Sequence, residues 1–456
     1  MSAHILHNLQ GYAEHLVEAY QVPAVSIAIW HKNTLHKAAA GVLNINTQIE
    51  ATSYSVFQIG SITKVFTASL VMRLVESGRV ELDRPVKYYV RDFRVAEPEA
   101  TQSITVRQLL CHISGIDGDL CPDNPHEMGN PIARYVDRCN LVPQVHEPGR
   151  GFSYSNASYV VAGRLVEIVL GLSFFEAVEE HIYKPLGMEY SVGHPMNTLR
   201  YRAAMGHFSN PENPAQLKLA PICYASMGLA PAGRLTMSAS DLILFAKAHM
   251  DKGRSECGQQ WLSPDTVAAM QETQVTLPTH STSQVTGWGL GWCLVDKVNR
   301  ASVPIIGHSG QTFGQSAMLR LLPKQNSAFA VLTNIGGGGI LGQVFGDLLS
   351  ELADIKFKKP QILNTTYKSE RFVGQFESLG YRYHITLKNQ QLTAMVKDKV
   401  LLTSETKLLL KPIDKNTFAS YSGKGKFAGN IIFLNFDDFG VPTSLFAGYR
   451  LINRVR

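Results

Sequence analysis

The chain has 456 residues, 45% hydrophobic and 18% charged, which is the composition of an ordinary soluble globular protein with room for two or three domains. Its net charge of +6, from 43 basic and 37 acidic residues, contains no block of five or six like charges, which argues against nucleic-acid or membrane-surface partners. No window reaches the roughly 18 apolar residues of a membrane helix. The N-terminus lacks a signal-peptide pattern, so a cytoplasmic location is expected.

Leu9, Tyr12, Leu16 and Tyr20 fall at helical spacing and predict an amphipathic helix over 8–20. "AVSIAIW" (24–30) and "LHKAAAGVLN" (35–44) read as paired strands with "HKN" at the turn. A helix begins near Ser61 and runs to Ser77-Gly78, where glycine supplies the stop. Residues 85–170 are loop-rich and mostly helical, and "GLSFFEAVEEHIYKPLGM" (171–188) is a helix stopped by Pro185. "SASDLILFAKAHMDKG" (238–253) opens on a Ser/Asp cap signal and ends at Gly253. "GLGWCLV", "ASVPIIGHSG", "SAMLRLLP" and "SAFAVLTN" are strands, and "LGQVFGDLLSELADI" is a closing helix.

Strands at both ends with helices between them predict an α/β unit over 1–355: an antiparallel sheet flanked by helices, with a helical insertion at about 85–235. "KFKKPQILN" (356–364) reads as a linker. Residues 365–456 alternate apolar and polar, with turns every 8 to 12 residues, which predicts a separate all-β, barrel-like domain. Cys111, Cys121, Cys139, Cys223, Cys257 and Cys293 form no CxxC and read as reduced core thiols rather than disulfides or metal ligands.

Ser61 and Lys64 lie three apart at the first turn of an apolar helix pattern, so the amine can reach the hydroxyl. A second Ser-x-x-Lys, Ser404 and Lys407, lies in the alternating C-terminal region, where a strand sends the two side chains to opposite faces. Tyr154-Ser155-Asn156 precedes another helix pattern, and His308-Ser309-Gly310 ends a strand; taken singly, each is an ordinary turn. Gly336 to Gly339 lacks the Lys-Ser/Thr of a phosphate loop and reads as a strand-to-helix turn. There is no HExxH, so neither a metal nor another cofactor is expected. Trp288 and Trp292 read as strand packing; "CHISG" could place His112 near the site, but it reads first as a structural turn.

Together, Ser61/Lys64, Tyr154/Asn156 and His308/Gly310 resemble, in order and context, the penicillin-recognising serine hydrolases. The resemblance covers roughly residues 8–353, including "LLCHISGI" and "HEPGRGFSYSN". It is to the branch holding class C β-lactamases, D-alanyl-D-alanine carboxypeptidases, D-aminopeptidases, related esterases and some peptide-cyclising thioesterases. The C-terminal region is similar to the lipocalin-like extension of several of these. The resemblance implies a β-lactamase/transpeptidase-like fold and an acyl-enzyme on Ser61.

Lys64 and Tyr154 would jointly take the Ser61 proton, since burial disfavours a charged lysine and a nearby cation lowers a tyrosine pKa. Tyr154 would return it to the leaving group. Asn156 would hydrogen-bond Lys64 and a substrate amide, while Ser309 and Gly310 would border the substrate. The N–H groups of Ser61 and Gln311 would form the oxyanion hole, each donor worth roughly 3 kcal/mol. His308 stands where the Lys-Thr-Gly form of this motif has lysine. Being neutral at pH 7, it favours an ester, amide or free amine over a substrate held by its carboxylate.

The expected partner is therefore a small molecule or short peptide, with D-residue peptides included. Release of the acyl group by an amine (cyclisation or acyl transfer), β-lactam hydrolysis and a non-catalytic binding role on the same fold stay open. Nothing in the sequence sets the oligomeric state. Removing the C-terminal region near Lys358 is expected to alter substrate range more than Ser61 reactivity.

Overall fold

The computed structural model describes residues 5–120, 129–210, 213, 216–278, 285–295, 304–337, 339–356, 361–363, 369–400, 405–423 and 425–455. Cys121, Ala301 to Val303, Gly338, Ser404 and most of the expected linker lie outside the described residues.

An eight-stranded antiparallel sheet runs in the order Thr34–Gly41, Ala24–His31, Ser327–Thr333, Gln315–Leu322, Ile305–Thr312, Cys293–Val295, Gly287–Trp288, Val275–Thr276. Both faces are covered, so its central strands read as continuous apolar runs rather than alternating ones. Val25, Ile27 and Ile29 share one core with Leu9, Ala13 and Leu16 of the first helix and with Val344, Phe345 and Leu348 of the helix Gly339–Ala353. Ala24 and Ala28 face the other core, beside Val65, Phe66 and Val71 of the helix that carries Lys64. The period of two along one strand thus feeds two helical layers. The first hairpin closes on Lys32 and Asn33, both at positive φ (46° and 67°), as a two-residue turn between right-twisted strands requires.

Between the strands at the two chain ends lie the helices, a three-stranded sheet and a two-stranded one. Pro185 does not stop its helix. The chain widens into a π-turn over Glu179–Tyr183, continues through Lys184–Leu186 and ends at Gly187 with φ +68°. A proline needs the carbonyl four residues back moved aside. That carbonyl, of His181, instead accepts a hydrogen bond from Trp261 Nε1 at 2.7 Å. Cys111, Cys139 and Cys293 are buried free thiols, whereas Cys223 and Cys257 are exposed on loops and not in the core.

The eight strands from Gly374–Glu377 to Arg450–Arg454 form a closed antiparallel barrel, the first and last pairing Phe376 with Arg454. Phe372, Phe376, Phe418 and Phe433 pack within it, mostly edge to face, and closure pairs each described strand on both sides. The barrel docks on the larger unit at Ser153, Tyr154 and Asp117. The Tyr154 N–H donates to Tyr449 O (2.8 Å), Leu451 N–H to Ser153 Oγ (3.2 Å), and Leu379 N–H to Asp117 Oδ2 (2.8 Å).

Candidate active site

Ser61 sits on a 3-10 turn, Gly60–Ile62, leading into the helix Thr63–Glu76. Gly60 has φ +53°, and a Cβ there would lie 2.5 Å from the Gln311 nitrogen. A Cβ on Gly310 would lie 1.9 Å from Ile59 O and 2.8 Å from Ser61 N. Glycine at both positions lets the His308 strand press against the nucleophile turn, bringing the Ser61 and Gln311 amides to one place.

Lys64 is fully buried. Its Nζ lies 3.0 Å from Ser61 Oγ and donates to Ala232 O at 2.6 Å. It forms no ion pair among the described residues, and burial, reinforced by Arg450, holds its pKa well below the usual lysine value. The free amine is therefore favoured beside the hydroxyl. Ser155 caps the helix Asn156–Leu170, its side chain accepting from Ser158 N–H, and this turn directs Tyr154 back toward Ser61. The Tyr154 ring centroid is 4.9 Å from Lys64 Nζ. The tyrosine pKa is raised, contrary to the expected effect of a neighbouring cation. Burial outweighs the lowering by Ser61, to which the phenol is hydrogen-bonded, and by Arg450. The pair thus favours an uncharged amine and a protonated phenol.

His308 lies across the cavity, its ring 6.2 Å from that of Tyr154 and 5.5 Å from that of Trp288. Its Nδ1–H donates to Ser309 O at 2.6 Å, leaving Nε2 buried, without a partner and with a free lone pair. Burial, then Lys64, pushes this imidazole down to about 3, so it is a neutral acceptor. Asn156 does not reach Lys64. Its Nδ2 donates to Asp119 Oδ1 at 2.8 Å, a neutral amide meeting a buried anion.

Asp119, Arg450, Tyr449 and Arg320 are the residues that sequence reasoning missed. Arg450 grips Asp119 with two hydrogen bonds, of 2.5 and 2.9 Å, and its guanidinium lies 5.2 Å from the Tyr154 ring centre. Arg320 donates to His308 O and Ser309 Oγ (both 2.9 Å), bringing a permanent cation beside the third motif. None of the four carries a local signal; their chemistry appears only where segments meet. Trp288 and His112, read as packing and turn, also flank Tyr154, with ring separations of 5.7 and 4.3 Å. Asp119, Arg450, Tyr449, Arg320 and Trp288, but not His112, border a cavity of about 460 Å³ that also includes Ser61, Gln311 and Asn156. No cluster of metal-ligating side chains occurs among the described residues, nor does a helix long and apolar enough to cross a membrane.

Penicillin-binding protein 4 of Amycolatopsis lactamdurans is 37% identical over 338 residues, 73% of this chain and 85% of that protein. Among solved structures, that of SurE superposes with a TM-score of 0.79 at 24% identity, covering 98% of both chains. The D-amino acid amidase of Ochrobactrum anthropi SV3 complexed with L-phenylalanine gives a TM-score of 0.64 at 22% identity, covering 76% of this chain and 99% of the amidase. SurE spans the barrel as well as the α/β unit, so both parts of the fold have a counterpart in it. The sequence profile described as Beta-lactamase matches residues 9–341, so with these relatives the chain belongs to the β-lactamase family of penicillin-binding, serine-hydrolase-type proteins.

Proposed function

We propose that this protein is a serine hydrolase that forms an acyl-enzyme on Ser61 from esters, amides or short peptides, D-residue peptides among them. The observation that carries the reading is the 3.0 Å contact between Ser61 Oγ and the amine of a fully buried lysine, whose burial works against its charged form. In this reading, Lys64 takes the Ser61 proton as Oγ attacks the carbonyl carbon. The oxyanion develops against the Ser61 and Gln311 amides, and Tyr154 protonates the departing group. His308 Nε2, a bare acceptor, suits a substrate N–H donor. A substrate carboxylate would have to be met by Arg320 at the rim, because Arg450 is already neutralised by Asp119.

The names of the relatives, a penicillin-binding protein and a D-amino acid amidase, support amide chemistry on D-residues as the first substrates to test. Turnover of a panel of p-nitrophenyl esters and D-amino-acid amides, with Ser61→Ala as control, tests the proposal. Rates equal to that control on every compound, with no fluorophosphonate labelling at Ser61, would leave only a binding role.

A second reading has an amine rather than water release the acyl group, giving acyl transfer or cyclisation. It is supported by a further cavity of about 580 Å³ that shares Val285 and Tyr449 with the first and offers room for an extended acceptor. Mass analysis of products formed with and without added D-amino-acid amines distinguishes the two readings.

A further inference from the structure

The loop around His112 wraps the segment Ser153–Ser155 from one side. His112 is fully buried and stands in left-handed backbone conformation, φ +60°. Its carbonyl accepts the Ser153 N–H at 3.0 Å, and its Nδ1 accepts the Ser155 N–H, also at 3.0 Å. One residue therefore binds the main chain on both sides of Tyr154, while the Tyr154 N–H itself is taken by Tyr449 O of the barrel. The imidazole also stacks on the phenol, with ring centroids 4.3 Å apart and planes tilted by 31°. A little further along the same loop, Gly118 lies so close that a Cβ would come within 2.4 Å of Ser155 Cα. Since Nδ1 is an acceptor, the ring proton is on Nε2 and the ring is neutral.

Two requirements meet at position 112. The backbone must adopt positive φ, which glycine and asparagine tolerate better than most residues. The side chain must also present an acceptor to a buried N–H that would otherwise have no partner. Histidine meets both, and a plain turn needs only the first. A tyrosine side chain has few rotors, so the direction of its hydroxyl follows the direction of its backbone. Holding the amides of Ser153 and Ser155 therefore holds the phenol against Ser61.

We propose that His112 is a positioning residue that clamps Tyr154 for proton transfer; its catalytic consequence rests on Tyr154 being the proton donor. Three variants separate the requirements. His112→Gly keeps the backbone conformation without the acceptor, His112→Asn keeps both, and His112→Ala keeps neither.

For an ester substrate, kcat should fall about 10- to 100-fold in His112→Gly with KM changed less than about threefold, the scale of a small misplacement of a catalytic group. His112→Asn should recover to within about fivefold of wild type. Hydrogen exchange at the Ser155 amide should accelerate about tenfold or more in the Gly and Ala variants and return toward wild type in Asn. Wild-type kcat or unchanged Ser155 exchange in His112→Gly overturns the proposal, as does an Asn variant no better than Gly. If the unmodified protein shows no turnover above Ser61→Ala, the hydrolase reading fails on its own. Exchange at Ser155 then still decides whether the clamp exists.

Discussion

Arg450, on the last strand of the barrel, holds the buried carboxylate of Asp119 with two hydrogen bonds across 331 residues of sequence, and Asp119 in turn holds Asn156 beside Tyr154. The ion pair ties the barrel to the turn that carries Tyr154. Removing one member of a buried pair leaves the other charge uncompensated, which costs about 3–5 kcal/mol. Arg450→Met alone should therefore be strongly destabilising, while the double variant Asp119→Asn/Arg450→Met should recover part of the loss. A double-mutant cycle by urea denaturation measures this. Losses that simply add would mean that the two groups do not depend on each other.

Removal of the barrel should do more than change substrate range. Tyr449 O receives the Tyr154 N–H, and Arg450 covers the phenol ring. A chain ending after Ile355 should label with a fluorophosphonate at Ser61 roughly tenfold more slowly or worse, because the phenol loses its outer support. Labelling at the full-length rate, with only the ester preference altered, would return the barrel to the part of a pocket wall.

The approach of the His308 strand to the nucleophile turn depends on Gly310. A methyl group there meets Ile59 O at 1.9 Å, so Gly310→Ala should reduce kcat by about 100-fold or more through displacement of the Ser61 and Gln311 amides. A methyl group on Gly346, in the helix Gly339–Ala353, would meet nothing within 4 Å. Gly346→Ala should leave activity unchanged and stabilise the protein by about 0.5–1 kcal/mol. Thermal unfolding and ester turnover of both variants give the comparison.

Acid should destabilise the fold through buried histidines. His249 and His308 are each held down to about 3 by burial, against an unfolded value of about 6.5. A depressed folded pKa means that the unfolded chain binds the extra proton. This contribution is therefore complete above pH 6.5 and is lost as the pH falls from there toward 3. Between pH 7 and pH 5, each histidine should cost on the order of 2 kcal/mol. Urea denaturation at the two pH values should show a flatter dependence in His249→Phe; an unchanged dependence would assign the acid sensitivity elsewhere.

Activity should carry a different signature. In the proposed mechanism Lys64 must be unprotonated to accept the Ser61 proton, and its pKa is well below normal because it is buried. The rate should therefore rise with pH along a limb governed by Lys64, without a separate step near 6.5 from His308, which is already neutral there. Kinetics of kcat/KM against pH for wild type and His308→Gln provide the measurement. A limb that moves with the histidine substitution would assign it to His308 instead.

The parts of this protein legible in its sequence are those written locally. Period-two and period-3.6 patterning marks the strands and helices, and three short motifs mark Ser61, Lys64, Tyr154 and His308, because an i, i+3 pair on a helix or a triplet at a turn has its geometry set by neighbouring residues. Pro185 misleads because the widening of its helix depends on Trp261, 80 positions beyond His181, which takes the His181 carbonyl. The partner of Asn156 is hidden for the same reason: Asp119 comes to accept its amide N–H only where two loops meet.

Sequence alone determined the two kinds of architecture in the chain and the pairing of the Ser61 hydroxyl with the Lys64 amine. Tertiary structure alone decided the burial that lowers the pKa of that amine and raises that of the phenol, the neutral tautomer of His308, and the arrival of Arg450, Tyr449 and Arg320 at the cavity. Those properties depend on burial and on electrostatic neighbours, and both are set by packing between segments hundreds of residues apart.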